Sequence, residues 1–277
     1  MDRVLFTRYF CFDVQRKEMK FFVIHHSALT ERRKRVEEQL ERLGISAEWI
    51  TDYPACELQG VKEHTKSPLP LGYISCSMKH YKVLQKMVDE DIPDAVIFED
   101  DVIFSEHFDV SKIPTGIPYV KLSKPPPDSH PHPIECSSKM YWELNNGGAE
   151  AYYVTKHFAE THLNKNLSLR ATMDTEIHNT LTVYYNSSMF PCVPMCHSEG
   201  SPTSVTKNDE QDDDIHWTTH IHMIYPGFTF SELIERWTTS RTKSESTSEQ
   251  LLLTKESPVD PGQVPTTHSG DFESQTQ

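Results

Sequence analysis

The stretch Ala95-Val96-Ile97-Phe98-Glu99-Asp100-Asp101-Val102-Ile103-Phe104 sets three carboxylates in a row between two apolar runs. The run before them, β-branched in its middle, reads as the inner strand of a sheet covered on both faces. Neighbouring carboxylates raise one another's pKa unless a cation sits among them. Uncompensated charge at a buried strand end is costly. A divalent metal held by oxygen ligands removes both penalties. Because alternate residues of an extended segment face one way, Glu99 and Asp101 should project together as metal ligands, with Asp100 turned elsewhere. The competing reading is a solvated turn between two strands.

A second polar cluster lies toward the C-terminus, where Asp212, Asp213 and Asp214 precede His216, His220 and His222. His216 and His220 share a face if the segment is helical, His220 and His222 if it is a strand; an exposed His-rich loop explains them equally well. Cys192, Cys196 and His197 have a zinc-like spacing but no second ligand pair. The six cysteines are scattered, which fits free thiols better than a disulfide framework.

The elements around these residues are regular from Lys20. A short apolar run, Phe21 to Ile24, is followed by Ser27 and Thr30 as possible N-caps. Val36, Leu40 and Leu43 then fall at helical spacing, with Gly44 placed to end the helix. Ala47 to Asp52 reads as a strand, so residues 20–52 form a βαβ unit. Tyr53 to Leu71, with Pro54, Pro68 and Pro70, reads as a loop. A helix from about Ser75 leads into the acidic strand. The proline-rich stretch 123–133 excludes regular structure. A strand over 149–155 and helices after it restore order. From Trp237 the chain turns to Ser, Thr, Pro and Glu, a composition that predicts disorder.

With 277 residues the chain can hold one large domain or two small ones. We divide it into an N-terminal extension (1–19), a domain (20–236) and a tail (237–277). The net charge of −14 argues against a general nucleic-acid binder. No stretch approaches the roughly 20 apolar residues that span a bilayer. The N-terminus lacks an uninterrupted signal-peptide core, since Arg8, Asp13, Arg16 and Lys17 break it up, so a cytoplasmic location is expected.

Four segments in order now carry a resemblance: Phe21 to Ile45, Tyr73 to Met87, Asp94 to Phe104, and Asn145 through Ile177. Together they resemble glycosyltransferase family 25, the lipooligosaccharide-type enzymes that include the collagen galactosyltransferases, over roughly residues 20–206. The family's basic opening motif falls on His25 to Arg32, where Glu31 and Arg32 persist. Its Cys-x-x-Ser-His falls on Cys76 to His80, with Lys79 in place of serine. Its Glu-Asp-Asp is intact at Glu99, Asp100 and Asp101. Its Gly-x-x-x-Tyr falls on Gly148 and Tyr152, and its Pro-Val-Asp ends at Asp174.

The resemblance implies an α/β fold of the GT-A, nucleotide-sugar-binding type. It also implies an inverting transfer of galactose or glucose from a UDP-sugar donor, with Mn²⁺ or Mg²⁺, to a glycan or protein hydroxyl. Asp174, with Glu176 as second choice, is then the general base, against the alternative of an ordinary helix N-cap. Arg32 could reach a uracil edge or a phosphate, or merely pair with Glu37. Lys79 and His80 lie on a helix running toward the donor, and Asp100 faces the nucleoside or a backbone partner. His220 is the C-terminal candidate to complete the metal site. Two other functions compete. One is a catalytically weak nucleotide-binding module, favoured by the altered first motif and Lys79. The other is a two-metal phosphoesterase, which lacks the usual spread of His and Asp.

Overall fold

The computed structural model describes residues 19–123, 134–137, 140–144, 148–165, 167, 169–185, 189–198 and 228–255. The first half of the chain runs β1 (Lys20–Ile24), α1 (Thr30–Leu43), β2 (Glu48–Ile50), α2 (Gln59–Thr65), α3 (Leu71–Asp89), β3 (Asp94–Glu99), β4 (Val102–Phe104) and β5 (Tyr119–Ser123). It continues with β6 (Ile134–Ser137), β7 (Met140–Leu144), β8 (Ala151–Thr155), α4 (Lys156–Leu163), α5 (Met173–Tyr185), β9 (Met189–Ser198) and α6 (Phe230–Lys255).

The expected βαβ unit forms, with β1 parallel to β2 and also to β3. Val36 and Leu40 bury the inner stripe of α1, and Gly44 ends it at φ 66°, a left-handed conformation that glycine adopts without strain. The helix starts differently from expectation. Leu29 occupies the N-cap with no side-chain cap bond, and neither Ser27 nor Thr30 fills that role. The preceding turn is closed by backbone, Leu29 N–H donating to His26 O at 2.8 Å.

Residues 53–71 are not the irregular loop expected from their prolines. They hold a 3-10 turn, Ala55–Glu57, and the helix α2, with Leu58 and Val61 wholly buried. Pro54 and Pro70 sit at the N-caps of the 3-10 turn and of α3, where a missing N–H costs nothing.

Among the described residues nine strands form one sheet in the order β2-β1-β3-β8-β5-β9-β7-β6, and β4 pairs with β9. Inner-strand side chains divide by parity into two cores. Ile97, Tyr152 and Val154 pack with Met78 and Tyr81 of α3, while Val96, Phe98 and Tyr153 pack with Val36 and Leu40 of α1. The result is the expected α/β sandwich, with helices on both faces of a mixed sheet.

Met1–Ser240 forms one compact unit and Arg241–Gln277 a second. In the first, Phe230 and Leu233 are buried and Trp237 meets Tyr53 edge-on, ring centroids 4.9 Å apart, and donates to Glu57 at 3.2 Å. Helix therefore replaces the irregular tail expected from Trp237, and it runs to Lys255. The shift to Ser and Thr concealed an apolar face at Phe230, Leu233 and Trp237, spaced at i, i+3, i+7. Residues 256–277 lie outside the described residues. Among the described residues no helix is long and apolar enough to cross a membrane.

Candidate active site

Strand register builds the site. Ile24 at the end of β1 lies opposite both Ile50 of β2 and Glu99 of β3, so three parallel strands end level. Their carboxyl ends are where open α/β sheets bind ligands. β8 runs antiparallel to β3, and its approach brings Glu150 to the same edge, its carbonyl accepting the N–H of Glu99 at 2.8 Å. β5 ends there too, and Ser123 donates to Glu150 Oε2 at 3.0 Å.

The chain breaks into a turn at Asp100 and Asp101 before β4. The turn of the competing reading is therefore present, but it is buried rather than solvated, both aspartates being only 7% exposed. Asp100 is held from three directions. His25 Nδ1 lies 2.8 Å from Oδ2, the His26 N–H donates to the same oxygen at 3.0 Å, and Arg32 donates to Oδ1 at 2.9 Å. Burial alone would push this carboxyl up, but the bonds from His25, His26 and Arg32 outweigh it and hold the pKa low.

Glu99 and Asp101 go the other way. Burial first, then the charges of Glu150 and Asp100, push Glu99 up to about 8. Burial and Glu99 push Asp101 up to about 7, against the pull of Arg32, whose Nη1 is 3.9 Å away. Asp101 Oδ1 is buried with no hydrogen-bond partner among the described residues. An orphaned carboxylate oxygen near a second buried carboxyl suits a hard divalent cation, which Glu99 and Asp101 would hold.

On α3, His80 is wholly buried, Nδ1 at 2.8 Å from the Tyr152 hydroxyl and Nε2 at 3.1 Å from Glu99 Oε1. Burial, then the charge of Lys79, lowers its pKa to about 3, so the ring is neutral. The contact of Nε2 orients Glu99 at the end of β3. Cys76 lies one turn earlier, Sγ 3.6 Å from the same Oε1. Lys79 is buried, donating to Ser75 Oγ at 2.8 Å, and Ser75 in turn donates to Tyr53 O. Burial lowers the Lys79 pKa, while Cys76 and Asp100 oppose the shift.

Asp174 stands in the first turn of α5 and accepts the Gly148 N–H at 2.9 Å. Its charge reaches Glu99, Tyr73 and His80. Glu176 does not join it. It is 5% exposed and bound to Lys165 Nζ at 2.6 Å, which replaces the expected reserve base by an internal ion pair. His220 and the whole acidic-histidine segment 212–222 lie outside the described residues, as does the His197 side chain. Among the described residues the cysteines Cys56, Cys76 and Cys196 are free thiols, as expected.

Sequence reasoning missed His25 and Glu150. His25 is signalled only by its place one residue beyond β1, level with Asp100. Glu150 needed the antiparallel direction of β8, which no local pattern encodes. Gly148 carries one local clue: its φ is 86°, and a Cβ there would strike the Glu150 carboxylate.

The half of the site built by β1, α1, α3 and β3 lies within a stretch that matches a family model. Residues 18–113 match the family model of glycosyltransferase family 25 (LPS biosynthesis protein). A lipooligosaccharide biosynthesis protein, lic2B, of Haemophilus influenzae is 32% identical over a 96-residue alignment that covers 32% of this chain and 35% of that protein. The chain thus spans about a third of the length of this curated relative. A crystal structure of a glycosyltransferase involved in the glycosylation of the major capsid of PBCV-1 aligns over 61% of this chain and 69% of that one, at 14% identity and a TM-score of 0.32. The resemblance to family 25 therefore holds over residues 18–113; the segment from Asn145 through Ile177 falls beyond the matched stretch.

Proposed function

We propose that the protein is a metal-dependent, inverting hexosyltransferase of the GT-A type. It would move galactose or glucose from a UDP-sugar to a hydroxyl of a glycan or protein. The observation that carries this reading is the clamp on Asp100, because it fixes Glu99 and Asp101 at the level ends of β1, β2 and β3. The family match over residues 18–113 covers these same elements.

A bound Mn²⁺ or Mg²⁺ would be held by Glu99 and Asp101 and would stabilise charge developing on the leaving diphosphate. Arg32 adds positive charge at the same edge and steadies Asp100. Asp174 takes the proton of the acceptor hydroxyl as its oxygen attacks the anomeric carbon, and the bonding pair departs with UDP. The Gly148 N–H keeps one oxygen of Asp174 fixed, leaving the other for that proton.

The buried Lys79 favours a second reading, a module that binds UDP without turnover, because its cation stands where the family pattern has serine. One assay separates the two. UDP-galactose and UDP-glucose are offered with Mn²⁺, with Mg²⁺ and with chelator, and both nucleotide binding and UDP release are followed. Metal-dependent release supports the transferase; binding with no release in any condition supports the module.

A further inference from the structure

Three side chains beside the acidic turn have a softer ligand character than the carboxylate pair. Cys76 and His80 lie four residues apart on α3 and so project from one face, and Glu99 meets them from the end of β3. Cys76 Sγ and His80 Nε2 lie 3.6 Å and 3.1 Å from Glu99 Oε1, and the three ligand atoms all fall within 4.8 Å of one another. With metal bonds of about 2.0 Å to nitrogen or oxygen and about 2.3 Å to sulfur, the atoms of a tetrahedral zinc site stand roughly 3.3–3.7 Å apart. The two distances to Glu99 are close to such edges before any ion is added.

The surroundings complete the resemblance to a metal site. The Tyr152 hydroxyl holds His80 Nδ1 at 2.8 Å, the outer bond that fixes a ligating imidazole. Glu99 keeps 26% of its side chain accessible and Cys76 is half-buried, which leaves a way in and room for a fourth ligand.

We infer that Cys76, His80 and Glu99 form a three-ligand Zn²⁺ site with an open fourth position. Hard cations prefer the all-oxygen pair of Glu99 and Asp101, whereas the thiolate and imidazole select Zn²⁺. On binding, the thiol proton and the proton carried by the Glu99 carboxyl leave to solvent, and the neutral imidazole coordinates through Nε2 with its own proton on Nδ1, donated to Tyr152. No electrons change hands. Because Glu99 belongs to both sets, Zn²⁺ here withdraws a ligand from the carboxylate pair and inhibits the proposed transfer. The site itself stands on geometry alone, so it can fail or hold independently of that reading.

The test uses the full chain with Co²⁺ as a spectroscopic stand-in for Zn²⁺. Wild type should bind one Co²⁺ with a thiolate-to-metal charge-transfer band that Cys76→Ser loses. No sulfur band in wild type, or a band that survives in Cys76→Ser, overturns the site. Should the variant not fold, alkylation of the wild type decides. Zn²⁺ should slow modification of Cys76 by about tenfold or more, because a metal-bound thiolate is withheld from the reagent, while the exposed Cys56 reacts unchanged. Equal rates at Cys76 with and without Zn²⁺ overturn it.

Discussion

Arg32 donates to Asp100 across 2.9 Å and thereby ties the first turn of α1 to the end of β3. The bond crosses between two elements separated in sequence by α2 and α3, so it fixes the acidic turn against the βαβ unit. Arg32→Ala should lower unfolding stability by about 1.5–3 kcal/mol, the range for a hydrogen bond to a charged group, with His25 and the His26 N–H still holding Asp100. Urea denaturation measures the loss. A change below about 0.5 kcal/mol, typical of surface substitutions, would mean that the pair is solvated and incidental.

Glu99 and Asp101 predict an unusual pH response. Their pKa values, raised to about 8 and about 7, mean that the folded protein binds protons which the unfolded chain has already released. Stability of the metal-free protein must then fall as pH rises, from about pH 4, where the unfolded carboxyls ionise, to about pH 9, where both folded ones are ionised. Asp101→Asn should flatten that decline, and Mn²⁺ affinity should climb over the same interval because the metal displaces protons. Thermal melts and calorimetric titrations at several pH values check both slopes; a stability that rises through this interval would contradict the arrangement.

The local part of this arrangement was legible in the sequence and the long-range part was not. Val36, Leu40 and Gly44 spell out α1, and the apolar run before Glu99 spells out β3, because burial patterns repeat within one element. The clamp on Asp100 depends on parallel register between strands separated by about seventy positions, which local patterning cannot encode. His80 shows the same division. Its place on a helix was readable, but its bonds to Tyr152 and Glu99 arise where α3 crosses the sheet. Composition misled at Trp237, where the Ser- and Thr-rich stretch outweighed one aromatic whose ring packs on Tyr53.

Trp237 supplies a third prediction. Its half-buried ring and its bond to Glu57 should make Trp237→Ala cost about 1–3 kcal/mol, less than a fully buried tryptophan would. Ending the chain after Ser240, where the first compact unit ends, should change the melting temperature of that unit little. Comparing the two variants by calorimetry locates the last residue the domain needs. A large loss on truncation with none for Trp237→Ala would reverse the assignment.

Asp174 offers the decisive mechanistic test, because its two roles respond differently to one substitution. As a structural acceptor it needs only an oxygen for the Gly148 N–H, which asparagine also supplies. As the general base it needs a carboxylate, which asparagine lacks. Asp174→Asn should therefore leave stability and UDP affinity nearly unchanged while turnover falls by about 10²-fold or more. Unchanged turnover would reduce Asp174 to a fastener between Gly148 and α5. Product stereochemistry supplies an independent reading, since a single displacement on an α-linked donor must give a β-linkage. If the anomeric proton coupling in the product showed a retained α-linkage, direct attack assisted by Asp174 would be ruled out, whatever the variant's rate.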